Sequence, residues 1–91
     1  MDFNVGDKVR IRNDLHEDEY YGKVYFNPDM SRYRGEEMTI DLVDREGYDW
    51  VDGNCVYFFV EDNHEWMWSS AMIAGLAELL VEIDIDVSDF L

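Results

Sequence analysis

The sequence predicts a small, mostly β domain, an antiparallel barrel or sandwich of five or six short strands with one or two short helical turns. Its 91 residues leave room for one core, and 47% hydrophobic residues with 15% aromatics are enough to form it. Apolar and polar residues alternate with a period of two in several segments, which is the pattern of half-buried strands. Turn residues separate these segments at roughly ten-residue spacing, which is typical of small all-β folds.

The first predicted strand covers residues 5–12, where Val9 and Ile11 alternate with Lys8, Arg10 and Arg12. These three cations share one outer face and are called the basic stripe below. Residues 13–19 are polar and predict a loop, and residues 23–26 predict a second, short strand.

A short helical turn is predicted at residues 29–34. Pro28 suits the first helical position, Asn27 is a good N-cap residue, and Gly35 is expected to end the turn.

Three further strand segments are predicted in the middle of the chain. Residues 37–43 alternate strictly and lead through a turn at 44–47 into residues 48–51, which together predict a hairpin. Residues 55–60 and 65–68 follow, each after a turn. A second helical turn is expected at residues 70–73, with Ser69 as its N-cap and Gly75 at its end.

The C-terminal segment is expected to add to this domain. Residues 77–80 are compatible with a helix, whereas residues 81–88 alternate strictly between apolar and polar side chains, which favours a strand. We therefore predict a barrel domain at residues 1–75 and an acidic C-terminal extension at residues 76–91, packed on the same domain.

Charge is distributed unevenly along the chain, whose net charge is −15. All seven Lys and Arg lie between Lys8 and Arg45, whereas the chain from Glu46 onward holds half of the 22 acidic residues and no Lys or Arg. Such an asymmetry predicts a basic partner, and it argues against direct binding to nucleic acid or to an anionic membrane surface. The single cysteine, Cys55, is expected to be a buried thiol in a reducing compartment, which predicts a cytoplasmic protein.

Several short motifs, in order between residues 2 and 73, resemble a class of small phage and prophage proteins of Gram-positive bacteria that are built on a Src-homology-3-like barrel. Some members accompany inhibitors of bacterial defence. The resemblance implies this barrel fold and a role in phage counter-defence, as in anti-CRISPR proteins, within the host cytoplasm. The residues that carry it are Gly6-Asp7-Lys8-Val9-Arg10-Ile11-Arg12, Tyr21-Gly22, Met30, Tyr33-Arg34-Gly35, Thr39-Ile40, Tyr48, Trp66-Met67-Trp68-Ser69 and Met72-Ile73.

The first candidate site is the row Glu82, Asp84 and Asp86, with Asp89 close behind. Alternate residues of a strand project from one face about 6.6 Å apart, so the row would present carboxylates much as DNA presents phosphates. The alternative is a solvated outer face whose charge keeps an edge strand from aggregating.

The second candidate site is the acidic group Glu17, Asp18 and Glu19, followed by two aromatic residues, Tyr20 and Tyr21. The carboxylates would extend the negative surface, and the rings would anchor a partner.

Catalysis and cofactor binding are not expected. The sequence has no nucleophile elbow around a serine and no glycine-rich phosphate loop, and its one cysteine has only two distant histidines. Asp84 with Asp86, or His64 with Glu65, is weak evidence for a metal, so we expect neither metal nor cofactor. The sequence thus predicts a non-enzymatic inhibitor that blocks the nucleic-acid-binding surface of a basic host protein, for which a CRISPR effector nuclease is one candidate.

Two other functions stay open. A peptide-binding adaptor would use aromatic rings to hold Pro-rich segments, with Tyr20, Tyr21, Trp50, Trp66 and Trp68 as candidates, although a small barrel needs most such rings for its core. A self-associating phage structural component would form an oligomer through the strand predicted at residues 81–87. The basic stripe is expected to pair with nearby acids rather than with nucleic acid.

Overall fold

The structure, a computed structural model, describes residues 3–77 and is mostly β, with six strands in two antiparallel sheets and little helix. This confirms the predicted mostly β class and, within those residues, the expected number of strands and of helical turns. The strands are β1 (Lys8–Ile11), β2 (Glu19–Tyr21), β3 (Val24–Phe26), β4 (Glu37–Asp44), β5 (Val56–Phe59) and β6 (Ile73–Leu76).

The larger sheet has the strand order β5-β4-β1-β6, so that the first strand of the chain lies in its interior. Val9 faces Met38 on one side and Leu76 on the other. Val9 and Ile11 are buried, and Arg10 between them is not, as the two-residue period predicts. Burial of alternate side chains therefore specifies the register of this sheet.

The smaller sheet is the hairpin formed by β2 and β3, in which Tyr20 lies opposite Tyr25. Gly22 and Lys23 form its two-residue connection, with φ of 57° and 71°. Positive φ at both positions is characteristic of the type I′ turns that join antiparallel strands. The Ser69 hydroxyl donates a hydrogen bond of 2.7 Å to the Tyr21 carbonyl, which ties the hairpin to the chain leading into β6.

Both helical turns are 3₁₀ helices, at Pro28–Tyr33 and Ser70–Met72. The first has the predicted cap, since Asn27 Oδ1 accepts from the Met30 N–H at 3.0 Å. At the second, Ser69 is the N-cap residue but makes no capping bond with its side chain. Gly75 lies inside β6 and does not end that turn, because the extended chain begins at Ile73 and pairs with β1.

Two predicted strands are wrong. Residues 48–51 form successive turns, in which the Val51 N–H donates to the Tyr48 carbonyl at 3.1 Å and the Asn54 N–H donates to the Val51 carbonyl at 2.8 Å. Local turn bonds therefore replace the ladder, and β4 pairs instead with β5. Residues 65–68 contribute a single bridge, between Trp68 and Tyr57, rather than a strand.

The core is centred on Trp68, whose side chain has no exposed surface. Its indole meets the rings of Phe26, Tyr33 and Phe59 at centroid distances of 6.3, 6.0 and 5.6 Å. Cys55 is buried with a free thiol, as expected. Both sheets thus supply side chains to one core.

The predicted C-terminal extension and its strand lie almost entirely outside the described residues. β6 ends at Leu76, and Ala77 is the last residue described. The division into residues 1–75 and 76–91 therefore stays a prediction. Within residues 3–77, no helix combines the length and the apolar character that crossing a bilayer requires.

Candidate protein-binding surface

Two arginines of the basic stripe are held by the protein itself. Arg10 donates from Nη1 to the Gly35 carbonyl at 2.9 Å, and its Nη2 lies 3.9 Å from a carboxylate oxygen of Glu37. Arg12 binds Asp14 through Nε and Nη2, at 2.9 Å each, and donates from Nη1 to a backbone carbonyl at 2.8 Å. The pairing predicted for these two side chains is confirmed.

The two hydrogen bonds from Arg12 to Asp14 also change the acidity of both groups. The hydrogen bond from Arg12, with its positive charge, lowers the pKa of the Asp14 carboxyl, and the same bond raises the pKa of Arg12. Guanidinium groups that already face a carboxylate and carbonyls have few donors left for phosphates, so the stripe is poorly suited to bind nucleic acid.

The acidic group Glu17–Glu19 is exposed at the start of the hairpin. Asp18 has a φ of 64°, a left-handed conformation that aspartate tolerates better than most residues. Its N–H donates to the Phe26 carbonyl at 2.8 Å, which continues the pairing of β2 with β3 by one residue. Its Oδ1 accepts a hydrogen bond from the Tyr25 hydroxyl, and this bond raises the pKa of Tyr25.

Tyr21 lies on the inner side of the hairpin. Its ring packs edge-on against Phe26 at 6.2 Å, and the guanidinium of Arg12 lies 5.5 Å above it. Its hydroxyl accepts from the His16 N–H at 2.7 Å and donates to Glu19 Oε2 at 3.1 Å. Of the two tyrosines predicted to bind a partner, Tyr21 therefore holds the hairpin and the acidic loop in place.

Tyr20 lies on the outer side of the hairpin, together with Tyr25. The two side chains are 70% and 41% exposed, and their ring centroids are 5.3 Å apart. Residues paired across an antiparallel ladder share a face, and here that face is turned away from the core. We call Asp18, Tyr20 and Tyr25 the hairpin face.

Sequence reasoning missed Tyr25. The pair Gly22 and Lys23 is the sequence feature from which Tyr25 could have been predicted. If these two residues form a two-residue turn, residue 25 lies opposite residue 20 in the hairpin.

The remaining aromatic candidates are divided between core and surface. Trp68 is buried and Trp66 is half-buried against the core. Trp50 is 49% exposed, and its indole N–H donates to the Gly47 carbonyl at 3.0 Å. The five rings proposed for a peptide groove thus have very different exposure, and Trp68 is excluded from any such groove.

Metal ligation has no candidate among residues 3–77, where no group of three His, Cys, Asp or Glu side chains is arranged to hold an ion. The Nε2 atom of His64 pairs with Asp41 Oδ2 instead. The first predicted site, Glu82, Asp84, Asp86 and Asp89, lies outside the described residues.

No protein-family model, curated protein or solved structure matches the chain.

Proposed function

We propose that this chain is a non-enzymatic inhibitor that binds the basic, nucleic-acid-binding surface of a host defence protein and excludes the nucleic acid from it. The acidic row Glu82, Asp84 and Asp86 supplies one part of the negative surface. The acidic group Glu17–Glu19, with Tyr20, supplies the other. Long-range attraction steers the two proteins together, and the exposed ring anchors the encounter.

The observation that carries this proposal is the contrast between occupied cations and exposed acids. Arg10 and Arg12 face carbonyls and carboxylates of the same molecule, whereas Glu17, Asp18 and Glu19 are exposed to solvent. Each of these two cations is offset by a carboxylate of the same molecule, so the negative charge of Glu17, Asp18 and Glu19 remains available to a partner. A negative surface at a net charge of −15 favours association with a basic protein.

We further propose that the two sheets form a Src-homology-3-like barrel of the phage and prophage class, and that the protein acts in the host cytoplasm. The support for the barrel is the antiparallel order β5-β4-β1-β6 together with a separate β2–β3 hairpin that shares its core. The buried free thiol of Cys55 is compatible with a reducing compartment.

The test is an electrophoretic mobility assay with guide-loaded CRISPR effector nucleases and their target DNA. We expect the protein to prevent DNA binding by at least one such nuclease. Two triple variants neutralise the acids: one carries Glu82→Gln, Asp84→Asn and Asp86→Asn, and the other carries Glu17→Gln, Asp18→Asn and Glu19→Gln. For each variant we expect the association rate with that nuclease to fall roughly tenfold. The dependence of the rate on salt is expected to weaken in parallel.

A matched control removes three exposed carboxylates elsewhere, by Asp29→Asn, Glu36→Gln and Glu46→Gln. The association rate of this control variant should fall clearly less than that of either of the other two variants. The proposal is overturned if every nuclease binds DNA unchanged in the presence of the protein, or if all three variants bind the nuclease alike.

A peptide-binding adaptor is the second candidate, and the exposure of Trp50 is the observation that favours it. In that case Trp50→Ala abolishes binding to a Pro-rich peptide array, and neutralising the acids changes little.

A further inference from the structure

We infer that the hairpin face is a receptor for a guanidinium group, and that an arginine side chain of the partner lies over Tyr20 and Tyr25 while it pairs with Asp18. This inference deepens the proposed function and rests on it only for the identity of the protein that carries the arginine.

The chain already binds one guanidinium group in this way, on the opposite side of the same strand. Arg12 lies 5.5 Å from the centre of the Tyr21 ring and makes its two 2.9 Å bonds to Asp14. In the first 3₁₀ helix, Arg32 shares only the ring contact with this arrangement, 5.3 Å from the centre of the Tyr33 ring, and donates to the hydroxyl of the same residue. A tyrosine ring with a carboxylate beside it satisfies both the flat face of a guanidinium and its donors.

The hairpin face offers the same kinds of group to solvent. Tyr20 and Tyr25 stand side by side, tilted by 50° to one another, and Tyr20 is the most exposed of the large hydrophobic side chains described. Among residues 3–77, no Lys or Arg lies over either ring. A cation from another molecule can therefore reach both rings.

The carboxylate of Asp18 lies next to the two rings. Asp18 is held beside the rings because the Tyr25 hydroxyl donates to its Oδ1 and its own N–H belongs to the hairpin ladder. A carboxylate accepts several hydrogen bonds, so this one bond leaves Asp18 able to accept from a guanidinium. Glu17 and Glu19, exposed on either side, add to the attraction. The chemistry complementary to two rings and a carboxylate is a planar cation.

The experiment uses the full chain with a nona-arginine peptide, compared with a nona-lysine peptide of equal charge. Affinity is measured by calorimetry, and the site is located by NMR shifts of Tyr20 and Tyr25. We expect tighter binding of the arginine peptide, with the largest shifts at these rings. Tyr20→Ala should weaken arginine binding about two- to fivefold, because an exposed cation–π contact contributes about 0.5–1 kcal/mol and 1.4 kcal/mol corresponds to tenfold. It should also reduce the preference over lysine.

Two controls separate the ring from other effects. Tyr20→Phe keeps the ring and should bind like the wild type, whereas Asp18→Asn keeps the size of the side chain and should weaken binding. Val60→Ala changes another exposed apolar side chain, at 52% exposure, and should have no effect. A thermal melt of each variant verifies that it folds.

The outcomes distinguish this inference from the proposed function. If Tyr20→Ala binds the arginine peptide as tightly as the wild type, or if the shifts fall elsewhere, the guanidinium receptor is refuted even when the protein still blocks a nuclease. If the peptide results are as expected and no nuclease is blocked, the receptor stands and the proposed function fails.

Discussion

Replacing Trp68 by phenylalanine is expected to remove a large part of the stability of the fold. The Trp68 indole N–H donates to Asp62 Oδ2 at 2.9 Å, and Asp62 is itself only 4% exposed. Its other oxygen, Oδ1, is buried and accepts no hydrogen bond from the described residues. The substitution therefore leaves a buried carboxylate without its indole donor.

The magnitude follows from two contributions. A hydrogen bond to a buried charged group contributes about 1.5–3 kcal/mol. Phenylalanine also lacks about two carbons of the indole, each equivalent to about 0.8 kcal/mol when buried. The sum is about 3–5 kcal/mol, out of a total stability of about 5–15 kcal/mol for a natural domain. For a domain of this size, each kcal/mol lowers Tm by about 4–8 °C.

The assay is urea unfolding followed by circular dichroism, as a double-mutant cycle with Asp62→Ala. If the indole–carboxylate bond is the main contribution, the coupling energy between the two sites is about 1.5–3 kcal/mol. Trp66→Phe is the matched control. Because Trp66 is only partly buried, this substitution should lower the free energy of unfolding much less. A coupling energy below about 0.5 kcal/mol would refute the reasoning.

Three further predictions concern the hairpin and the acid paired with the basic stripe. Asp18→Asn should lower the pKa of Tyr25, which a spectrophotometric titration at 295 nm measures. Because folding raises this pKa, the hydrogen bond stabilises the folded protein at pH values below the usual tyrosine pKa of about 10. That stabilisation is lost as the pH rises through the raised pKa of Tyr25. Gly22→Ala should destabilise by about 1–2 kcal/mol more than Gly47→Ala in urea unfolding, since both residues have positive φ but only at Gly22 does a Cβ come within 3.1 Å of a serine hydroxyl. Asp14→Asn should lower Tm near neutral pH, because it removes the carboxylate that Arg12 binds. The difference in Tm from the wild type should shrink as the pH falls below about 3.9 and through the lowered pKa of Asp14, where the wild-type carboxylate also loses its charge. A constant difference in Tm down to about pH 2 would contradict this prediction.

The sequence predicts best those elements in which burial alone specifies the pattern. In β1 and in the first half of β4 one face is buried and the other is not, so the alternation around Val9 and around Met38 predicts these segments. Beyond Ile40 the register of β4 shifts, and Leu42 is 42% exposed. The Asn27–Pro28 start of the first 3₁₀ helix is predicted equally well, because cap and proline chemistry is local.

The errors arise where local and distant interactions compete. Residues 48–51 are rich in aromatic and β-branched side chains, yet they form a turn closed by the Tyr48–Val51 bond. The next turn follows at once, with Gly53 and Asn54 at φ of 89° and 59°, and together the two turns displace the strand. Ser69 has the right identity for a cap, but its hydroxyl binds the carbonyl of Tyr21, 48 residues away in sequence. Neither outcome is encoded in a window of a few residues.

In the candidate site, too, local features can be predicted from the sequence, whereas features that depend on the pairing of strands cannot. The acidic group and the two tyrosines that follow it are visible in the sequence, because clustered charge and adjacent aromatic residues can be read directly from it. The contribution of Tyr25 depends on a register set by a two-residue turn, and the inward position of Tyr21 follows from that same register.

The alternation along the hairpin has a consequence for how this protein can evolve. Tyr20 and Tyr21 are neighbours in the chain, but one faces solvent and the other faces the core. Mutations at Tyr20 and Tyr25 can accordingly change the chemistry of the exposed surface without altering the packing that Tyr21, Val24 and Phe26 provide. The hairpin therefore separates the residues that determine its outer surface from the residues that hold it on the core.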